Sequence, residues 1–476
     1  MLLYIHVPFC RSKCRYCAFY SEPVGGEGLL DAASERMQLW MDNIMLEMAQ
    51  WSDRLGRLPV RTVFFGGGTP SLLPPSIIGG ILNRAARCFK LDGAAEISME
   101  ANPESINRTT AKQYLREGVN RVSLGAQSMN DTELAVLGRG HCSADVARAV
   151  YALREAHFHN IGIDLIWGLP GQTSYQWKNQ LKEIARLRPE HLSCYGLTLE
   201  EGTPLRELCE SGALLPLPDE REAARMYVQG AELLEELGYL QYEISNFARM
   251  GYQCRHNMGY WEGEDYLGLG PAATSTIGGR RWTNPANMGR WARLVKRRVT
   301  GKDAEELDLT DRVLELIMLR LRTARGLRVK AYRELTGRDF LRDHKQLVHA
   351  LHRHGLVRIK DGYLRLTRNG MLVSNSILER FFDASRDALR GVESSGKSAA
   401  ELSAKMAGDV SADASGLSVE SLAEGVAGAP EGAHGEDRAD KKGRESGPAS
   451  GFAGAESSGY SALTEYDVLF GMEERE

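Results

Sequence analysis

Nothing in the 476 residues approaches the ~20 consecutive apolar positions that a membrane-spanning helix needs. A charge excess is missing too. Lys and Arg (59) nearly balance Asp and Glu (63), and a formal net charge of −4 gives no global field to draw in nucleic acid. At most a peripheral membrane contact is expected. No charged and apolar leader marks the first residues, which open directly on a strand-like run. Most of the eight cysteines form no frame: Cys88, Cys142, Cys194, Cys209 and Cys254 are scattered, as in a reducing compartment rather than a disulfide scaffold. These absences point to a cytoplasmic protein with room for a large core and more than one domain. Aromatic residues are also missing between Phe382 and Phe452. Residues 384–476, rich in Ala, Gly, Ser, Glu and Asp, cannot bury enough apolar surface to offset their conformational entropy, so a disordered tail is expected there.

Three cysteines do cluster. Tyr4-Ile5-His6-Val7-Pro8-Phe9 leads into Cys10, Cys14 and Cys17, in the pattern C-x3-C-x2-C. Spacings this short put three sulfurs on one turn. Thiolates select zinc, copper(I) or iron–sulfur. A structural zinc site wants four closed ligands, and no fourth Cys or His follows nearby, which counts against a zinc knuckle, the plainer competitor. A [4Fe–4S] cluster on three cysteines leaves one iron open for chemistry.

Over residues 1–235 strand-like runs alternate with helical stretches. The strands are expected at Leu2–Val7, Thr62–Phe65, Glu96–Ala101, Arg121–Gly125, Gly162–Trp167 and His191–Leu197. Their continuous apolar character suits parallel strands covered on both faces. Repeated βα units of this kind predict an α/β fold, an incomplete (βα)6 barrel, with its site at the C-terminal strand ends. Polar and glycine-rich signals sit at those ends. Gly66-Gly67-Gly68-Thr69 follows the second strand, with backbone groups open to a ligand. Glu100 ends the third strand, Gln127 and Arg139 follow the fourth, and Asp164 lies in the fifth. Singly, each could be a structural hydrogen-bonder. Together they form a polar ring around a polar cofactor.

A second informative block, His256-Asn257-Met258-Gly259-Tyr260-Trp261, lies in a connecting region, residues 236–300. Its His, Tyr and Trp beside glycines suit a flat aromatic ligand with a metal or polar handle, although a lone histidine is more often a satisfied core group. Residues 301–383 read as helices followed by a hairpin at Lys360-Asp361-Gly362, a smaller α+β winged-helix-like domain. Its Arg and Lys content raises DNA binding, but without a base-reading motif a solvated basic face is the simpler account.

The cysteine pattern, with Phe19 two residues after Cys17, resembles the signature of the radical S-adenosylmethionine (SAM) enzymes. The resemblance implies a [4Fe–4S] cluster on Cys10, Cys14 and Cys17 whose open iron takes SAM, which one electron cleaves to a 5′-deoxyadenosyl radical. It places Tyr4, Phe19, Gly67, Gly68, Thr69, Glu100, Gln127, Arg139 and Asp164 around that cofactor. Y-I-H-V-P-F-C, G-G-G-T-P-S-L-L, E-A-N-P, G-L-P-G-Q and H-N-M-G-Y-W together are similar to the HemW family of radical SAM heme chaperones, from residue 1 to about 383. That likeness implies heme as cargo, with His256, Asn257, Tyr260 and Trp261 forming its pocket and His256 as the favoured axial ligand. It implies respiratory-chain apoproteins as acceptors and allows a homodimer. The family is similar to oxygen-independent coproporphyrinogen III oxidase, which carries a fourth cysteine where this chain has Phe19, and an N-terminal extension. That oxidase is the alternative reading, so enzyme status stays open. A DNA-binding regulator is a third.

Overall fold

The computed structural model of the chain describes residues 1–24 and 30–393. Six strands lie side by side in sequence order, each parallel to the next: β1 (Leu2–Val7), β2 (Pro59–Gly67), β3 (Lys90–Ala101), β4 (Arg121–Gln127), β5 (Ile161–Trp167) and β6 (His191–Gly196). The crossovers run through helices α1 (Leu30–Leu55), α2 (Pro75–Cys88), α3 (Arg108–Arg116), α4 (Asp131–Leu137), α5 (Ser143–Glu155) and α6 (Ser174–Arg186). This is the expected radical SAM partial barrel. The strands are buried on both faces, with Leu3, Ile5 and Val7 of β1 packed in one core with Phe65, Met99, Leu124, Ile163 and Leu192. Helix α1 adds Trp40, Ile44 and Met48, spaced four apart on one helical face. Asn107 and Thr173 start α3 and α6 with reciprocal capping boxes, which fixes where the chain turns from strand to helix.

The sheet does not stop at six strands. Helices α7 (Pro204–Glu210) and α8 (Glu220–Glu236) lead to β7 (Leu240–Gln241) and β8 (Asn246–Ala248). Strand β8 pairs antiparallel with β6. After α9 (Arg255–Trp261), β9 (Tyr266–Leu269) pairs parallel with the free side of β1, Leu2 opposite Tyr266 and Ile5 opposite Leu269. A hairpin, β10 (Thr274–Ile277) and β11 (Arg280–Thr283), then extends that edge to β12 (Glu305–Glu306), with α10 (Met288–Lys296) interposed. Residues 236–300, expected to be a connector, thus supply strands to both edges of the main sheet. Strand pairing across long sequence separations leaves no local signature, so the stretch read as linker.

The C-terminal part is winged-helix-like: α11 (Leu309–Leu321), β13 (Leu327–Arg328), α12 (Val329–Thr336), α13 (Phe340–Asp343), α14 (Lys345–Arg353), β14 (Val357–Lys360), β15 (Tyr363–Leu366), α15 (Arg368–Leu372) and α16 (Ser374–Glu393). Asp361 and Gly362 make the wing turn with φ of 54° and 76°, the left-handed pair that a two-residue hairpin needs. Helix α16 corrects the expected boundary at residue 383. Ser385 and Leu389 are buried, and Ser385 meets His344 at 3.3 Å, so the folded domain continues through this helix. The low-complexity stretch beyond residue 393, including the rest of the expected disordered tail, lies outside the described residues. Among the described residues no helix is long and apolar enough to cross a membrane.

Candidate cofactor site

The cysteine loop leaves the C-terminal end of β1 and is tied down at several points. Thr69 lies with its hydroxyl 3.7 Å from Cys10 Sγ. Arg139 Nη1 donates to Cys14 Sγ at 3.3 Å, while its Nη2 donates to Asn102 Oδ1 at 2.6 Å and to the Gly125 carbonyl at 2.8 Å. Burial raises the Cys10 thiol above its ordinary range, opposed by hydrogen bonds from Thr69 and Ser21, and burial raises Cys17 as well. Bound iron deprotonates a coordinating thiol outright, and the Arg139 guanidinium offers a positive partner.

Among the described residues no His, Cys, Asp or Glu side chains converge tightly enough to hold a single metal ion. Cluster cysteines each bind a different iron, so they need not meet at one point. Three half-exposed free thiols on one loop, with a cation bonded to one of them, fit a three-cysteine cluster.

The glycine turn is more committed than expected. Gly67 N–H donates to Glu100 Oε2 at 3.1 Å, Gly68 N–H to the Val7 carbonyl and Thr69 N–H to the Phe9 carbonyl, both at 2.7 Å. A Cβ on Gly68 would stand 2.6 Å from the Phe9 carbonyl oxygen, so glycine is required for the turn to lie against the cysteine loop. These amides are therefore occupied, which leaves carbonyl oxygens as the groups of this turn suited to an ammonium. Gln127 sits at a bulge in β4 with φ of 67°, which re-aims its side chain across Gly125 towards Asn102 and Arg139.

Inside the barrel lies a cavity of about 160 Å³, lined among others by Tyr4, Glu100, Asp164, His256, Asn257 and Tyr260. Tyr4 hydroxyl meets His6 Nδ1 at 3.1 Å, and burial raises its pKa. Glu100 is partly buried and faces this cavity. Burial, with the Asp164 carboxylate close by, pushes its carboxyl up to about 7. Asp164 accepts from Ser123 at 3.0 Å and is itself raised by burial. A carboxyl pair of this kind is poised to hold protons or donors rather than two full charges.

Sequence reading missed Arg121, Ser123, His191, Ser193 and Tyr195, which line the same cavity alongside Cys254. A signal existed for each of them. Arg121 and Ser123 in β4, and His191, Ser193 and Tyr195 in β6, recur every second residue, the period that aims side chains at one face of a strand.

The His256 block lies at the opposite end of the barrel from the cysteine loop. Helix α9 plugs the end where the strands begin: His256 Nδ1 bonds Thr62 at the start of β2, and a Cβ on Gly259 would collide with Leu2. Glu96 secures the plug by accepting from the amides of Arg255 at 3.2 Å and His256 at 3.1 Å. His256 is 1% exposed, stacks on Phe64 with ring centroids 5.0 Å apart, and has Nε2 bonded to the Tyr260 hydroxyl at 3.1 Å. Burial depresses its pKa to about 3. An iron reaches neither ring nitrogen without displacing Thr62 or Tyr260. The cavity of about 160 Å³ is too small, as it stands, for a porphyrin. Trp261 is half-buried and lies outside the cavity lining, and Phe19 is 72% exposed on the cysteine loop.

Residues 4–185 match the model of the Radical SAM superfamily, and residues 307–373 that of the HemN C-terminal domain. The chain is 35% identical over 390 residues to the heme chaperone HemW of Escherichia coli strain K12, covering 80% of this chain and 97% of that one. It is 37% identical over 329 residues to the heme chaperone HemW of Synechocystis, covering 68% and 78%. The chain belongs to the HemW family. The solved structure of Escherichia coli coproporphyrinogen III oxidase (HemN), described as a radical SAM enzyme, covers 80% of this chain and 89% of that one, with a TM-score of 0.67 and 24% identity. That likeness shows a fold shared between the HemW family and the oxidase. Radical SAM membership implies SAM and a [4Fe–4S] cluster.

Proposed function

We propose that this chain is a heme chaperone that binds heme, hands it to apoproteins of the respiratory chain, and carries a SAM-binding [4Fe–4S] cluster on Cys10, Cys14 and Cys17. The observation that carries this reading is identity of 35% across 97% of a curated heme chaperone. Phe19, where the oxidase is expected to have a fourth cysteine, favours the same branch. When bound, the cluster supplies the single electron that cleaves SAM. The chain's own residues bind and orient. Arg139 links the cysteine loop to Asn102 and Gly125, Glu100 and Asp164 present carboxyl groups to the lumen, and Gln127 projects from the β4 bulge toward the same end. His256 enters as axial ligand only if α9 lifts; in the closed form Thr62 and Tyr260 hold both its nitrogens.

The fold shared with HemN keeps the oxidase reading in play. Anaerobically purified, reconstituted protein should bind hemin stoichiometrically and leave coproporphyrinogen III unchanged in the presence of SAM and a reductant. Turnover of coproporphyrinogen without heme binding would replace the chaperone reading with the oxidase one.

A further inference from the structure

Gln127 carries a positive φ of 67°, a backbone conformation that a residue with a Cβ adopts only at a cost. The Ser128 N–H reaches back to the Ala126 carbonyl at 2.9 Å, so Gln127 is the middle residue of a three-residue turn of the rare, strained kind. Strain of this sort persists only where the surroundings hold it. A histidine supplies the hold. His141 Nε2 lies 3.1 Å from the same Ala126 carbonyl, and because a carbonyl only accepts, that nitrogen carries the proton.

His141 is 7% exposed and does not stand alone. Its Nδ1 faces Glu104 Oε2 at 3.4 Å, and neither atom has another hydrogen-bond partner among the described residues. Glu104 lies in the turn that leaves β3, just after Asn102. Arg139 Nη2 joins Asn102 to the Gly125 carbonyl, and His141 joins Glu104 to the Ala126 carbonyl. Two side chains, two residues apart in the segment after α4, thus bridge residues 102–104 and 125–127 side by side. The first of them also holds Cys14. A Cβ on Gly125 would stand 2.9 Å from the Gln127 amide nitrogen and 3.3 Å from Asn102 Oδ1, which places the Gln127 amide beside this clamp. Filling the core would require only an apolar side chain at this position, not a donor aimed at the carbonyl that closes a strained turn.

We propose that His141 is a positioning residue for SAM: its bond to the Ala126 carbonyl keeps the turn closed and so keeps the Gln127 amide at the cofactor end of the barrel. The inference rests on the SAM pocket of the preceding reading and adds to it a residue that acts through Gln127. Glu104 orients the imidazole from the other side. Without the bond, the turn is free to relax toward ordinary β backbone. Successive side chains of such backbone point to opposite faces, so relaxation turns the Gln127 amide away from the clamp.

Full-length protein reconstituted with iron and sulfide is titrated with SAM by calorimetry. A Gln amide reaches the place of Nε2 and an Asn amide the place of Nδ1, so His141→Gln keeps the bond to Ala126 and His141→Asn loses it. His141→Asn should weaken SAM binding about tenfold, the upper end for one hydrogen bond, and keep its iron. His141→Gln should bind SAM nearly as wild type does. Gln127→Ala should also weaken binding, and adding His141→Asn to it should cost almost nothing more, because both act on one contact. If His141→Asn leaves SAM affinity unchanged, if His141→Gln is as weak as His141→Asn, or if the two losses multiply in the double variant, the inference fails while the pocket stands. If His141→Asn loses iron in proportion to SAM affinity, His141 serves the fold and the inference is overturned. If wild type binds no SAM, or Gln127→Ala binds it normally, the pocket reading fails and the inference with it.

Discussion

Arg139 and Cys14 are joined by an Nη1–Sγ hydrogen bond of 3.3 Å, which ties the segment after α4 to the cysteine loop after β1. The same guanidinium also holds Asn102 and the Gly125 carbonyl. Charge-assisted bonds of this kind contribute roughly 1.5–3 kcal/mol each. Arg139→Gln should therefore lower SAM affinity at least tenfold by calorimetry, and reconstituted iron content should fall less than in Cys14→Ser. A full cluster in Cys14→Ser would remove Cys14 from the ligand set.

Glu100 gives a pH signature. Its folded pKa, about 7, stands above the ordinary 4.5, so the folded state binds the proton more tightly than the unfolded one. Its contribution to stability is greatest below about pH 4.5, declines as pH rises toward 7 and is level above. The gap corresponds to about 3 kcal/mol at most. Because Glu47 and Glu243 are raised in the same way, the test is a difference. Glu100→Gln, free of ligand, should gain stability relative to wild type between pH 5 and pH 8 in urea melts. An identical difference at both pH values would contradict the burial described for Glu100.

Gly68 has carbonyl oxygens where a Cβ would go, 2.6 Å from Phe9 and 2.9 Å from Val7. Backbone atoms cannot swing aside as side-chain ends do. Gly68→Ala should cost about 1–3 kcal/mol and reduce iron incorporation, because the strain falls on the residues that lead into Cys10. Normal iron content and an unchanged melting temperature would show that the loop has slack.

His256→Ala removes a ring stacked on Phe64 and the partner of both Thr62 and Tyr260. A loss of about 2–4 kcal/mol is expected in protein that has never met heme. Thermal melts of the heme-free variant check it. Undiminished stability would mean that α9 is not the plug its contacts describe.

Truncation after Phe382 deletes buried Ser385 and Leu389, whereas truncation after Glu393 keeps the whole of α16. The shorter fragment should melt several degrees lower. Equal melting temperatures would show that the last turns of α16 contribute nothing.

The barrel was legible because buried parallel strands are written as continuous apolar runs. Leu2–Val7 came out with both ends right, and the others within a few residues except β2 and β3, whose starts at Pro59 and Lys90 are too polar to read as core. Helix α9 was not legible. Seven residues with Gly259 inside them give too little periodicity, and the partners that bury His256, Thr62 and Phe64, are distant in sequence. A histidine beside aromatics looks the same whether it waits for a metal or is already satisfied. The cysteine spacing carried the site because its geometry is local; the lumen residues of β6 alternate with apolar ones, a pattern that reads the same whether the polar face meets solvent or a cavity.

Strand β1 has hydrogen-bonded neighbours on both sides, β2 along its whole length and β9 from Leu2 to Ile5. The cysteine loop is therefore mounted on the interior of a sheet, not hung from its margin. Oxidative loss of a cluster would strip the loop of its inorganic part while the mounting stayed in register. Refilling such a loop would then require no new strand pairing.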